Sequence, residues 1–286
     1  MEGLTQFLRE QSPGGLLPWA SQAAAAKRFG FSYAQVEETA LRLGLLPSRY
    51  QRNRQTLSVD NQLKLFRSRV AVVGCGGIGG YVIEELARLG VGTLAAIDPD
   101  VFEEHNLNRQ ILATMGALGR AKVQVAAARV TEINPAVTLI PVQTAWLPEN
   151  GKELLAAAEV VVDALDSITT RLALAATCAE VGIPFVHGAI AGWYGQVTTQ
   201  FPGDNSVQRL YGDGRSRGIE QQLGNPAFTP PLVASLQTSE VCKIVLGVGN
   251  TLRNRIVFVD LRDMTFSEMT LASQTGTQAA QRAMPT

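Results

Sequence analysis

The chain has 286 residues, 46% of them hydrophobic and 17% charged, with 25 basic against 25 acidic side chains. That composition favours a packed globule over disorder, and the charge balance excludes any global attraction to nucleic acid or an anionic membrane, so nucleic acid is not an expected partner and recognition has to be local. No apolar run approaches the ~20 residues of a membrane span, and the N-terminus lacks a basic then hydrophobic leader, so a cytoplasmic protein without membrane contact is expected.

Residues 1–55 read as a helical N-terminal extension or dimer arm, with short helices over Trp19–Phe29 and Tyr33–Leu43 closed by Gly44–Pro47. Its basic excess is too mild to suggest DNA binding. The run Arg49-Tyr50-Gln51-Arg52-Asn53 follows, and then a polar helix-like segment around Asn61–Phe66.

Val70–Val73 is a buried strand by its length and branched residues, and the glycines of Gly74-Cys75-Gly76-Gly77-Ile78-Gly79 follow without a spacer. Such glycines turn the chain tightly, let a phosphate approach the peptide groups, and aim a helix N-terminus at it. Ile78, Val82, Leu86 and Leu89 share one helical face, Gly90 stops the helix, and Asp98 ends the next apolar run, about twenty residues beyond the glycines, where a carboxylate can hold ribose hydroxyls. The stretch is a nucleotide cradle that leaves ATP and a dinucleotide both open.

Helices and strands then alternate: helix Ala121–Ile133, strand Val137–Val142, helix Lys152–Ala158, strand Val160–Ala164, helix Thr169–Val181 and strand Pro184–His187. This pattern predicts an α/β fold with a Rossmann-like, mostly parallel sheet and right-handed crossovers. Gly195–Phe201 reads as an antiparallel strand, 202–230 as a long Gly/Pro-rich connection, Pro231–Leu246 as a helix, and Arg255–Asp260 with Thr265–Leu271 as a hairpin. The residues after Ser273 read as a flexible tail, 273–286.

Two clusters carry chemistry. His105-Asn106-Leu107-Asn108-Arg109-Gln110 crowds amides and an arginine just past Asp98, and Arg120 and Lys122 open the following helix, where cations oppose the dipole unless they face solvent or an anion such as a triphosphate. Asp163-Ala164-Leu165-Asp166-Ser167 ends a strand at the edge where open α/β sheets bind ligands; Asp166 can hold Mg²⁺, while Asp166-Ser167 can also be a helix N-cap. His105 is expected to face solvent and His187 to be a satisfied core histidine. Cys75, Cys178 and Cys242 are far apart, with no Cys-x-x-Cys pair, which argues for packing roles and against a disulfide framework or zinc.

Together the glycine loop, Asp98-x-Asp100, Asn106–Gln110, Gly119-Arg120-Ala121-Lys122 and Asp163–Ser167 resemble the MoeB/ThiF/HesA superfamily, relatives of the ubiquitin-activating enzymes, over roughly residues 49–271. The resemblance implies a ThiF-type ATP-binding adenylyltransferase domain over 56–272, using ATP and Mg²⁺ to adenylate the C-terminal Gly-Gly carboxylate of a ubiquitin-like sulfur-carrier protein, as a homodimer. It implies that Gly74, Gly76, Gly77, Gly79, Gln110 and Ser167 line the nucleotide site, that Asp98 holds the ribose, that Asn106, Arg109 and Lys122 handle phosphates, and that Asp166 positions Mg²⁺. Arg52 matches an arginine that reaches into the partner's site. The cysteine that many relatives carry in the crossover connection is missing from 202–230, so the reaction is expected to stop at the acyl-adenylate. The carrier would serve a molybdopterin, tungstopterin or thiamin type of pathway. The alternatives are a relative that adenylates a peptide or a tRNA base, an NAD-dependent oxidoreductase, and an ATP-binding scaffold without catalysis.

Overall fold

A computed structural model describes residues 2–212 and 220–271. The expected tail, 273–286, and part of the crossover connection lie outside the described residues.

The extension holds α1 (Glu2–Glu10), a two-residue strand β1 (Leu16–Leu17), α2 (Trp19–Phe29), α3 (Tyr33–Arg42) and β2 (Leu46–Pro47), which pairs with β1. Helix α1 was not anticipated. Leu4 and Leu8, four residues apart on one face, bury against Leu17, Ala25, Val36 and Ala40 in a small core of their own. Helix α3 opens on a capping box in which Ser32 Oγ accepts from the Gln35 NH and Gln35 Oε1 accepts from the Ser32 NH. The 3₁₀ turn Ser48–Asn53 and α4 (Val59–Arg67) lead into the main sheet.

That sheet is built from β3 (Arg69–Val73), β4 (Thr93–Ile97), β5 (Thr138–Val142), β6 (Val160–Asp163), β7 (Phe185–Ala191), β8 (Tyr194–Gln200), β9 (Arg255–Asp260) and β10 (Thr265–Thr270), in the spatial order β10-β9-β8-β7-β6-β3-β4-β5. The strands from β7 to β5 run parallel, and β8, β9 and β10 add antiparallel. This is the expected architecture. Crossover helices α5 (Gly77–Leu89), α6 (Lys122–Ile133), α7 (Pro148–Leu155) and α8 (Ile168–Val181) link the parallel strands. Val82, Ile83 and Leu86 of α5 are fully buried against β3 and β4, each stabilising the fold by about 1.5–3 kcal/mol relative to exposure. The chain order reverses between β3 and β6, so their carboxyl ends open a crevice.

Three boundaries differ from expectation for identifiable reasons. Helix α7 starts at Pro148 rather than Lys152, because a proline is pre-organised for the first helical position and Asn150 Oδ1 accepts from the Leu147 NH. The connection 202–230 is not featureless: it carries α9 (Ser206–Tyr211) and α10 (Glu220–Leu223), and α11 (Thr229–Leu246) begins earlier than expected with prolines in its first turn. Strand β8 does not alternate at its end, where Val197 through Gln200 are all buried between helices. Among the described residues no helix is long and apolar enough to cross a membrane.

Candidate nucleotide-binding and adenylation site

A cavity of about 980 Å³ opens at the carboxyl ends of β3 and β6 and runs out past β7 and β8. Its floor is the glycine turn. Gly74 has φ +94°, and a Cβ there would lie 2.5 Å from the Ala164 carbonyl oxygen at the end of β6; a Cβ on Gly79 would strike the Gly74 carbonyl. Neither position accepts another residue without moving a strand end. Gly74, Gly76 and Gly77 line the cavity, and the N-terminus of α5 faces it with its partial positive charge.

Asp98 is 5% exposed, and its two oxygens accept from the backbone NH groups of Cys75 (2.6 Å) and Asp100 (2.8 Å). Burial nevertheless raises its pKa above the ordinary aspartate value, against those hydrogen bonds and the Lys122 charge. The carboxylate thereby pins the glycine turn to the end of β4 and still reaches the cavity. Lys122 is 6% exposed; its Nζ lies 2.9 Å from Asp100 Oδ2 and it lines the cavity at the first residue of α6. The apparent conflict with the helix dipole is resolved by that carboxylate, whereas Arg120 points to solvent.

Arg109 and Gln110 line the opposite wall. Arg109 Nη1 donates to the His105 carbonyl (3.2 Å) and to Asn108 Oδ1 (2.9 Å), and Asn108 in turn donates to the Asn225 carbonyl across the mouth (3.1 Å). Gln110 is buried, lies beside Gly76, and its Oε1 has no partner among the described residues. Asn106 is placed differently from expectation. It is buried off the cavity lining, and its Oδ1 accepts from the Glu103 NH (3.0 Å), so it shapes the turn that carries Arg109 and Gln110 rather than meeting the cavity itself.

Asp166 is exposed on the cavity wall, and no side chain pairs with its carboxylate among the described residues. Ser167 does not line the cavity; it caps α8, its Oγ accepting from the Thr170 NH (3.3 Å). Gly79 supports the turn from behind. Arg52 lies on the exposed 3₁₀ turn, outside the cavity of its own chain. His105 faces solvent near Glu103, as expected.

Behind Asp166 lies a buried polar cluster. Asp163 Oδ2 accepts from Arg171 Nε (2.8 Å) and lies 2.7 Å from His187 Nδ1, and Asp163 Oδ1 accepts from the Leu165 NH (3.0 Å). Burial alone would raise the Asp163 carboxyl, but the Arg171 guanidinium and His187 pull it below the ordinary value. Burial lowers His187, leaving it neutral. It is a satisfied core histidine, as anticipated. Arg171 and Tyr211 were missed by the sequence reading: both line the cavity, and the signal for Arg171 was the one cation of its helix, five residues past Asp166.

Cys75 and Cys178 are buried and Cys242 is partly buried. Burial pushes Cys75 well above the usual range, Cys178 up to about 12 and Cys242 up to about 11, and none of them lines the cavity.

The model of the ThiF family matches residues 50–279. Among similar proteins, SAMP-activating enzyme E1 of Haloferax volcanii is 39% identical over 210 residues, 72% of this chain and 78% of that protein. Molybdopterin-synthase adenylyltransferase of Escherichia coli is 32% identical over 222 residues, 76% of this chain and 88% of that protein. The chain spans only 51% of adenylyltransferase and sulfurtransferase MOCS3 of Xenopus laevis, to which it is 30% identical. Among solved structures, E. coli MccB with MccA-N7isoASN superposes with TM-score 0.69 at 20% identity, covering 80% of this chain and 72% of that one, which is a likeness of fold. With Gly74, Gly76, Gly77, Arg109, Lys122 and Asp166 around one crevice and a family match over residues 50–279, this chain belongs to the ThiF family.

Proposed function

We propose that this ThiF-family adenylyltransferase uses Mg²⁺ and ATP to adenylate the C-terminal Gly-Gly carboxylate of a ubiquitin-like sulfur-carrier protein, in a molybdopterin, tungstopterin or thiamin type of pathway, and stops at the acyl-adenylate. The observation that carries the reading is the convergence of Gly74–Gly77, Arg109, Lys122 and Asp166 on one cavity at the strand-order reversal. The names of the archaeal activating enzyme and the bacterial adenylyltransferase support the reaction class.

ATP fits the residues present. The cradle is closed to any side chain at Gly74 and Gly79, the Gln110 side-chain nitrogen lies beside Gly76, and Arg109 and Lys122 line the same cavity. Mg²⁺ fits the exposed Asp166 carboxylate, with phosphate oxygens and water completing its coordination. When bound, the ion neutralises phosphate charge. The protein's own task is to hold two anions together: the carrier carboxylate oxygen forms a bond to the α-phosphorus as the bond to pyrophosphate breaks, with charge spread over oxygens that Arg109, Lys122 and the α5 N-terminus face. Asp98 serves the ribose end. The cavity continues between Ala189, Tyr194 and Gln196, a path for an extended Gly-Gly tail.

The acyl-adenylate endpoint is supported by the thiols. The chain has three cysteines, two buried and Cys242 partly buried, and burial raises the pKa of all three. Arg52 then serves a homodimer by entering the partner's cavity, since it lies outside its own.

Incubation with Mg·ATP and small proteins ending in Gly-Gly, followed by mass spectrometry and non-reducing gels, tests this reading. The expected product is a carrier acyl-adenylate with no thioester to the enzyme. A thiol-sensitive enzyme–carrier adduct would contradict the endpoint. Mixing Arg52→Ala with Asp166→Ala protein should restore part of the activity in heterodimers; no restoration in demonstrated heterodimers would count against a shared site.

A further inference from the structure

Helix α9 lies in the connection between β8 and α11, and its last residue, Tyr211, reaches back into the cluster behind the cavity. The Tyr211 hydroxyl receives Gln196 Nε2 (2.5 Å) and Arg171 Nη1 (3.2 Å) and lies 3.1 Å from His187 Nε2. The proton arrangement follows from the partners. His187 Nδ1 faces a carboxylate and therefore carries the ring hydrogen, so Nε2 is bare and the Tyr211 O–H donates to it. The hydroxyl thus gives one hydrogen bond and accepts two, which uses its whole capacity.

Arg171 carries the connection onward. Besides Asp163, its guanidinium donates to the Leu165 carbonyl, and Leu165 is held from the other side by its own NH on Asp163 Oδ1. The next residue is Asp166. A phenol on the crossover helix and the carboxylate expected to meet Mg²⁺ are therefore separated by one guanidinium and one peptide. Tyr211, Arg171, Gln196 and Asp166 all line the same cavity.

We propose that Tyr211 is a positioning residue for the adenylation site: its hydroxyl, acting through Arg171, ties the seating of α9 to the turn that presents Asp166, so that order in α9 and binding of Mg·ATP form one coupled equilibrium. The proposal rests on the ATP site argued above. Coupling of this kind is reciprocal. Mg·ATP steadies α9, and a seated α9 tightens Mg·ATP.

Tyr211→Phe removes only the hydroxyl, and two readouts follow. Hydrogen exchange of 206–212 in wild-type protein should slow on the order of 10-fold with Mg·ATP, and by less than about 2-fold in Tyr211→Phe. Calorimetric affinity for Mg·ATP should weaken about 10-fold in the variant, whereas affinity for ATP in EDTA should stay within about 2-fold, a split that general loss of packing would not produce. Asp166→Asn supplies the reverse arm and does not depend on Tyr211→Phe folding: it should abolish the Mg²⁺-dependent part of the α9 protection. Equal protection in wild type and Tyr211→Phe, or protection that survives in Asp166→Asn, would overturn the coupling while leaving the ATP site intact. Absence of Mg·ATP binding to the wild-type protein would overturn the site itself, and the coupling with it.

Discussion

Glu37 and Asp163 are both fully enclosed carboxylates paired with arginines; neither lines the cavity, but Arg171, the partner of Asp163, does. Glu37 in α3 accepts from Arg49 (2.6 Å), Tyr50 (2.7 Å) and Gln22 (2.8 Å), and Arg49 and Tyr50 pass the network on to Asn134 at the end of α6. None of these residues lines the cavity. The network fastens the helical extension to the nucleotide-binding unit. Asp163 is equally satisfied, but its partner Arg171, and Tyr211 bonded to that arginine, form part of the cavity wall. A buried ion pair is therefore a weak sign of function by itself. What distinguishes the second cluster is its place behind the Asp166 turn.

The comparison can be broken by substitution. The largest effect on chemistry is expected at Arg109→Ala, which removes a cation from the cavity without opening a core: ATP–pyrophosphate exchange should fall on the order of 10²- to 10³-fold while Tm moves by less than about 2 °C. Glu37→Ala should show the opposite pattern. Leaving Arg49 and the Tyr50 hydroxyl without their acceptor should cost about 3 kcal/mol in urea unfolding, with ATP affinity of the folded protein unchanged. Weakened ATP binding there would erase the distinction between the two clusters.

Acid separates them more gently. His187 and Asp163 both have folded pKa values below their ordinary ones, so each contributes stability that is present above its unfolded pKa and lost as pH falls through the folded one. For His187 the loss begins below the ordinary imidazole value of 6.5, for Asp163 below 3.8. Wild-type stability should decline below pH 6.5 with a slope of at most about 1.4 kcal/mol per pH unit from His187, and His187→Gln should flatten that segment. The smallest effect is expected at Cys242→Ser: a thiol held at about 11, away from the cavity, should leave pyrophosphate exchange within about 2-fold of wild type.

Local chemistry explains what was readable in advance. The glycine turn, the Asp98 strand end and the parallel sheet are written in contiguous residues with period and spacing, and they reappear as β3, α5 and β4. Arg109 and Lys122 sit close to that frame in sequence, Asp166 sits at the end of the neighbouring strand β6, and all three converge with it in space. Long-range pairings were not legible. Arg171 and Tyr211 are 40 positions apart, and their meeting depends on how α9 folds back onto α8. Asn106 and Ser167 fall on motif positions, Ser167 in place of the residue more usual there, yet local turns engage both. Lys122 read as a cation against a dipole that needs solvent or an anion; Asp100, two residues beyond Asp98, gives it a partner within the protein.

The central claim is that this cavity activates a carboxylate with Mg·ATP, and Asp166→Ala tests it most directly. Pyrophosphate exchange should be measured for the wild type and the folded variant with small carrier proteins ending in Gly-Gly. Carrier-dependent exchange in the wild type that falls at least about 100-fold in Asp166→Ala is the predicted result. Exchange that persists undiminished in the folded variant would contradict the account.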